Sequence, residues 1–129
     1  MAVTHSTSAR NAATDAVTAL IGASGHLKFR LSGTIGSPGT IVANLTLAAT
    51  AFGASSSGTA TAGAIGSDTN ATGNASAVAN ASLQTSGGTL IIHCAVAASA
   101  SDINMTNGLT VAAGDTVTCT SLTYTALSA

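Results

Sequence analysis

The chain has 129 residues, of which only three are Lys or Arg and four are Asp, and its formal net charge is −1. Three basic residues cannot form the basic patch on which nucleic-acid binding depends. The sequence contains no run of about 18 apolar residues, so it predicts no membrane-spanning helix. The length suits one domain, which we divide into an arm at 1–6, a helix at 7–21 and a β domain at 26–129.

Small side chains dominate the composition. Ala, Thr, Ser and Gly are the commonest residues, and the aromatic residues are Phe29, Phe52 and Tyr124. A buried Ala contributes far less than the ~1.5–3 kcal/mol of a buried Leu or Phe, so a lone domain of this kind should be marginally stable. Ser and Thr are also covered by a partner at lower cost than Lys or Glu. The composition therefore predicts a subunit of a dense assembly, stabilised by burial against other subunits.

The first predicted element is a helix over Thr7–Ile21, which follows the short arm Met1–Ser6. Its N-terminus can be capped within Ser6–Ser8, and Gly22 stands at the expected end. Apolar residues recur at spacings of three and four and form one stripe, which consists of Ala9, Ala13, Ala16, Val17 and Leu20. We expect this stripe to dock on a sheet or on a neighbouring subunit. The segment Met1–Ala16 lacks the regions of a signal peptide, which predicts synthesis in a cytoplasm without general export.

The next segment, His26–Ser32, alternates as a half-buried strand does. Its apolar side chains are those of Leu27, Phe29 and Leu31, and its polar ones are those of His26, Lys28 and Arg30. Two of the three cations therefore share the predicted outer face. That face is either solvated or in contact with an acidic patch on a partner.

Four further segments are predicted strands before the C-terminal region. They are Thr40–Ala48, Gly58–Ile65, Ala75–Leu83 and Thr89–Val96. Ala75–Leu83 is so rich in Ala that a helix is an alternative. The turn over Gln84–Gly88 predicts a hairpin connection between the last two strands.

The C-terminal region predicts a hairpin. Leu109–Val111 is expected to pair with Thr116–Ala126 across the turn Ala113–Asp115, after a loop over Ala97–Asn107. The apolar phase of the long strand changes after Ser121, which predicts a β-bulge or a bend near that residue. With six to eight short strands and one helix, we expect a mainly β fold: an antiparallel β-sandwich or barrel, jelly-roll-like, with an N-terminal α-helix.

Few residues in the sequence suggest metal binding or catalysis. His93 and Cys94 are adjacent on a predicted strand, so their side chains point to opposite faces and cannot readily bind one ion. No pattern of Cys or His has metal-ligand spacing, and the Asp residues fit roles in turns. A cytoplasmic origin favours free thiols at Cys94 and Cys119 over a disulfide. We therefore predict no enzyme activity, no metal and no cofactor.

Thr-x-Thr patterns occur at Thr59–Thr61, Thr116–Thr118 and Thr123–Thr125. Such patterns are typical of ice-binding proteins, which stack them at a fixed repeat. No fixed repeat is present in this chain, and the ordinary β-propensity of Thr explains these positions. An ice- or surface-binding role is therefore a minor alternative.

Several segments in order resemble one family. The matching segments are Ala9–Ala12, Asp15–Leu20, Ile41–Leu47, Ala49–Gly53, Ser101–Met105, Val111–Val117 and Ser121–Thr125. This pattern resembles small structural proteins of tailed bacteriophages, known as head decoration (cement) proteins or minor tail proteins. Where family members carry a Trp-Phe-Arg-like cluster in the middle strand, this chain has the Ala-rich segment Ala75–Leu83.

The resemblance implies a virion protein that binds the major capsid protein and stabilises the shell. It would do so as a homo-oligomer, such as a dimer or trimer, after synthesis in the bacterial host. The candidate contact residues, besides the arm, are Thr7, Arg10, Asn11, Lys28 and Arg30. A tail or connector protein is the alternative.

Overall fold

The protein is described from residue 3 to residue 129 by a computed structural model. These residues form one helix and seven strands, so the predicted mainly β class with an N-terminal helix is confirmed. The elements are α1 (Thr7–Ala19), β1 (His26–Arg30), β2 (Ile41–Thr46), β3 (Thr59–Thr61), β4 (Asn80–Gln84), β5 (Leu90–Ala97), β6 (Ile103–Asn104) and β7 (Thr123–Thr125).

Five of the strands form a sheet in the order β2-β1-β4-β5-β6, and this sheet curls into a half-barrel. β3 and β7 form a separate two-stranded ribbon. β5 and β6 are parallel, whereas the other paired strands are antiparallel, so the sheet is mixed. The hairpin that joins β4 and β5 through the turn after Gln84 was predicted correctly.

The register assigns the side chains of β1 to two faces. Leu27 lies opposite Leu45 of β2 and Leu83 of β4, and all three are buried in the core. Lys28 lies opposite Asn44 and Ser82, whose side chains share the other face because neighbouring strands keep their pleats in phase. The alternation of β1 in the sequence therefore predicts its two faces correctly.

Burial of small and medium-sized apolar side chains holds the sheet, the ribbon and the loops together. The largest fully buried apolar residues are Ile21, Leu27, Leu45 and Val42. Ile21 was expected to lie in the helix, but α1 ends at Ala19 and Ile21 turns into the core instead. Full burial of each such side chain stabilises the fold by about 1.5–3 kcal/mol.

The C-terminal hairpin was predicted wrongly. Asp115 donates its backbone N–H to the carbonyl of Ala112, so the turn exists, but Leu109–Val111 is not a strand. The carbonyls of Leu109 and Val111 accept hydrogen bonds from the backbone N–H groups of Val78 and Asn74 instead. These distant segments take the partners that a local hairpin would have used.

The predicted long strand after this turn is interrupted. Val117 forms an isolated antiparallel bridge with Asp68, and the chain then bends at Thr120. Only Thr123–Thr125 is a strand, and it pairs with β3. The bend next to Ser121 agrees with the phase change in the sequence.

Candidate functional site

The helix is held to the rest of the chain by its polar side. Thr14 is fully buried, and its hydroxyl donates to the carbonyl of Gly58 at 2.6 Å and accepts from the backbone N–H of Ala126 at 3.1 Å. One side chain thus joins α1 to the loop before β3 and to the chain after β7.

Two of the predicted contact residues take part in the same attachment. Arg10 donates from Nε to the carbonyl of Leu127 at 3.1 Å and from Nη2 to that of Ser57 at 2.8 Å. The side-chain oxygen of Asn11 accepts the N–H of Gly58 at 2.7 Å. Both side chains are therefore occupied by the protein's own backbone.

The apolar stripe of the helix does not pack on the five-stranded sheet; α1 contacts the ribbon of β3 and β7, and docking of the stripe on a neighbouring subunit stays a prediction. Ala9, Ala16 and Leu20 are exposed, Leu20 to 62%, and only Ala13 and Val17 are half-buried. The reason is that the neighbouring loops carry backbone groups that need partners, whereas a buried Ala methyl contributes little. We call the exposed apolar side of α1 the outer helix face; it consists of Ala9, Ala12, Ala16, Ala19 and Leu20.

The predicted contact residue Thr7 is exposed at the start of α1. Ser6 caps the helix, because its hydroxyl accepts the N–H of Ala9 at 3.2 Å. Of the predicted arm, Met1 and Ala2 lie outside the described residues. Val3 is 75% exposed, and His5 pairs through Nδ1 with the carbonyl of Ala129 at 2.7 Å. Part of the arm therefore contacts the C-terminus of the same chain.

A second polar cluster, much of it buried, lies on the face of the five-stranded sheet opposite the one that carries Leu27. We call it the polar sheet face; it consists of His26, Lys28 and Arg30 of β1, Asn80, Ser82 and Gln84 of β4, and His93 of β5. The expectation that Arg30 faces solvent was wrong, because this residue is only 5% exposed. Lys28 is half-buried.

Neutral groups surround the guanidinium of Arg30. It donates to Ser82 Oγ at 3.1 Å, to the carbonyl of Gly39 at 2.7 Å and to Gln84 Oε1 at 3.1 Å. Burial lowers the pKa of Arg30 because desolvation penalises the charged form. Sequence reasoning missed Ser82 and Gln84, because the alternation of β1 does not reveal which strand lies beside it.

The Asp side chains bind backbone N–H groups elsewhere. Asp68 accepts from Asn44 in β2, and Asp102 accepts from Ala95 in β5, so these two carboxylates flank the polar sheet face. Asp15 and Asp115 accept from loop N–H groups. None of these hydrogen bonds links a carboxylate to the cations of the polar sheet face.

A cavity of about 600 Å³ lies beside Phe29 of β1. It is lined by Phe29, Asp102–Gly108, Thr110, Val111 and Asp115–Thr123. No His, Lys or Arg is among these residues. The thiol of Cys119 donates to the carbonyl of Ser121 at 3.4 Å, and burial raises its pKa, so the thiol form dominates.

Within residues 3–129, no three His, Cys, Asp or Glu side chains are close enough to hold a metal ion. Both Cys94 and Cys119 are free thiols. No helix in the described part of the chain is long and apolar enough to cross a membrane. Comparison with family models, curated proteins and solved structures finds no match.

Proposed function

We propose that this protein is a non-enzymatic structural component of a tailed-phage virion: a decoration (cement) protein that binds the outer surface of the major capsid protein shell. The observation that carries the proposal is the outward orientation of the apolar side of α1. An amphipathic helix ordinarily buries its apolar stripe, whereas α1 is anchored through Thr14 and exposes three of the five stripe residues, Ala9, Ala16 and Leu20. The exposed stripe is therefore available to another chain.

The chemistry of the outer helix face suits close packing against a flat partner surface. Its four exposed Ala side chains are short, so a partner can approach the helix backbone closely. Leu20 adds a larger apolar side chain at one end, whose full burial contributes about 1.5–3 kcal/mol. A contact of this size is weak alone and becomes strong when the joined subunits of a homo-oligomer bind several sites of a repeating lattice at once.

The remaining surface is consistent with a dense assembly. The chain has only seven charged residues, and most exposed side chains outside the helix are Ser, Thr, Ala, Asn or Gly. Such side chains lose little hydration when a neighbour covers them. We propose self-association into a homo-oligomer, such as a dimer or trimer, on the shell, where closed symmetry lets each subunit bury the same surface.

The experiment that tests this proposal is the stoichiometry of the chain in purified virions. Quantitative mass spectrometry of virions from the phage that encodes the chain would compare its copy number with that of the major shell protein. A shell decoration protein should be present on the order of hundreds of copies, because it follows the lattice. About a dozen copies would instead support the alternative, a tail or connector component, and absence from the virion would overturn both.

A further inference from the structure

The two margins of the five-stranded sheet differ in how far the chain itself covers them. At the β2 margin, the outward carbonyls of Val42 and Thr46 accept backbone N–H groups at 3.0 and 2.8 Å. The outward N–H of Asn44 between them donates to a carboxylate oxygen of Asp68 at 2.9 Å. These bonds occupy the backbone groups with which another strand would pair, so the β2 edge is protected.

The opposite margin is covered only at the end of β5. β6 pairs with the last two residues of β5, and the N–H of Ala95 donates to Asp102 at 2.9 Å. Because backbone groups alternate in direction along a strand, the N–H and carbonyl of His93 point to the same side as those of Ala95. Within residues 3–129, no hydrogen bond joins this side of Leu90–Cys94 to another segment. We call these five residues the open β5 edge; they span about 17 Å.

The open β5 edge lacks the side chains that usually keep edge strands apart. Its sequence is LIIHC, without Lys, Arg, Asp, Glu or Pro. Its one irregularity is a register shift opposite Gln84, at the end where β5 begins. Ile91, Ile92 and Cys94 pack against the core but stay half-buried. A further strand at this edge would therefore bury apolar side chains as well as pair backbone groups.

A second copy of β5 suits this edge in one register. The midpoint of the edge is Ile92, so an antiparallel copy covers the same five residues only when Ile92 lies opposite its own counterpart. This register places Leu90 opposite Cys94 and Ile91 opposite His93, so no cross-strand pair contains a like charge. A two-fold pair also uses both open edges at once, which closes the assembly at two subunits.

We propose that two copies of this chain pair through the open β5 edge in an antiparallel arrangement, which joins their five-stranded sheets into one continuous sheet. The inference rests on the proposed homo-oligomer and identifies its interface and its size. α1 packs on the ribbon of β3 and β7, so the dimer uses a different part of the molecule from the outer helix face.

The first test is sedimentation of the full chain over a concentration series, combined with amide hydrogen exchange. A monomer–dimer equilibrium should appear, and the His93 amide should become protected as the dimer forms. The Asn44 amide, which is bonded to Asp68, is the matched control and should be protected equally at all concentrations. Ile91→Lys should weaken the dimer by at least about tenfold, because a charge would enter the strand pair, whereas Ile91→Val should keep the dimer. Protection of Asn44 also checks that each variant is folded.

The second test measures the register directly. The carbonyl and N–H of Ile92 face β4, so two Ile92 residues would form a non-hydrogen-bonded pair with Cα atoms about 4.5 Å apart, which a disulfide can bridge. Ile92→Cys, in a chain that also carries Cys94→Ala and Cys119→Ala, should therefore oxidise to a covalent dimer. Thr46→Cys in the same background is the control, because the β2 edge is covered, and should stay monomeric.

Three outcomes would overturn the inference. They are a chain that stays monomeric at about 1 mM, a dimer whose His93 amide still exchanges freely, and no more cross-linking of Ile92→Cys than of the control. The outer-face variant Ala16→Glu should dimerise normally. A chain that dimerises through β5 but does not bind the shell would overturn the decoration role alone.

Discussion

The hydroxyl of Thr14 lies 3.1 Å from the backbone nitrogen of Ala126, which follows it by 112 residues in the sequence. The same hydroxyl donates to the carbonyl of Gly58. Through this one buried atom the N-terminal helix is bonded to two distant segments. The polar side of α1 is thereby committed to the fold, and the outer helix face is left exposed.

Replacement of Thr14 should reveal this anchor. Thr14→Val keeps the shape but removes both hydrogen bonds, leaving the buried carbonyl of Gly58 without its side-chain donor and Ala126 N–H without an acceptor. We expect a loss of about 2–3 kcal/mol in the free energy of unfolding, measured by urea denaturation. Thr7→Val is the control, because Thr7 is exposed on the same helix and should change the value by less than about 0.5 kcal/mol. Equal losses of stability for the two variants would show that the Thr14 hydroxyl does not anchor α1.

Substitution of Gly58 should lower the stability of the fold for two separate reasons. Its φ is +83°, and an added Cβ would lie 3.0 Å from Nε and Nη2 of Arg10. Gly22 has a similar φ of +70°, but an added Cβ there would meet no described atom within 4 Å. Gly22→Ala therefore reports backbone strain alone, of about 1 kcal/mol.

The difference between the two glycine variants measures the contact with Arg10. Gly58→Ala should destabilise the fold by about 1 kcal/mol more than Gly22→Ala in thermal or urea unfolding, because Arg10 must move and its bonds to Ser57 and Leu127 weaken. If both variants lose the same stability, the packing of Arg10 on this loop is not as described.

The outer helix face should be needed for attachment but not for folding. Ala16→Glu places a charge on an exposed helical position, so the free energy of unfolding should change by less than about 0.5 kcal/mol. Binding to virions stripped of the protein should fall at least tenfold in a sedimentation assay, because the contact would bury an unpaired carboxylate. Ser76→Glu, in an exposed loop, is the control and should bind normally. Unchanged binding of Ala16→Glu would place the contact elsewhere.

Because of Cys94, the free energy of unfolding should fall at alkaline pH. Burial, with a smaller contribution from Asp102, raises the pKa of its thiol from 9.0 to about 11. The unfolded chain then releases this proton at a lower pH than the folded chain does. The contribution of the Cys94 thiol to the free energy of unfolding is fully present below pH 9. It is lost as the pH rises towards about 11.

Urea unfolding of the native chain and of Cys94→Ala at several pH values would measure this effect. The native chain should lose more stability than the variant between pH 8 and about pH 11. Parallel losses in the two proteins would show that Cys94 is not responsible. At pH 8 the folded thiol should also react slowly with iodoacetamide, since the thiolate is the nucleophile.

Local patterns in the sequence predict some of the fold well. The alternation of Leu27 and Phe29 identifies β1 and its core face, and the turn after Gln84 identifies the β4–β5 hairpin. These features depend on residues that are close in the sequence. The same reasoning predicts a strand over Ala75–Leu83, whereas β4 occupies Asn80–Gln84.

Features set by distant segments could not be predicted in this way. Arg30 is buried because Ser82 and Gln84 of β4 offer acceptors, and nothing in β1 identifies that neighbour. The predicted C-terminal hairpin does not form, because the backbone N–H groups of Asn74 and Val78 bind the carbonyls of Val111 and Leu109. β6 was expected to be loop, since two residues paired in parallel carry no pattern in the sequence. The role in a virion stays a prediction.

The most direct test of the proposed decoration role is a cryo-electron microscopy reconstruction of virions of the phage proposed to encode this chain. We predict density for the β half-barrel on the outside of the shell, with the outer helix face of α1 against the major capsid protein. A shell without this density, or a bound subunit whose α1 points to solvent, would contradict the account.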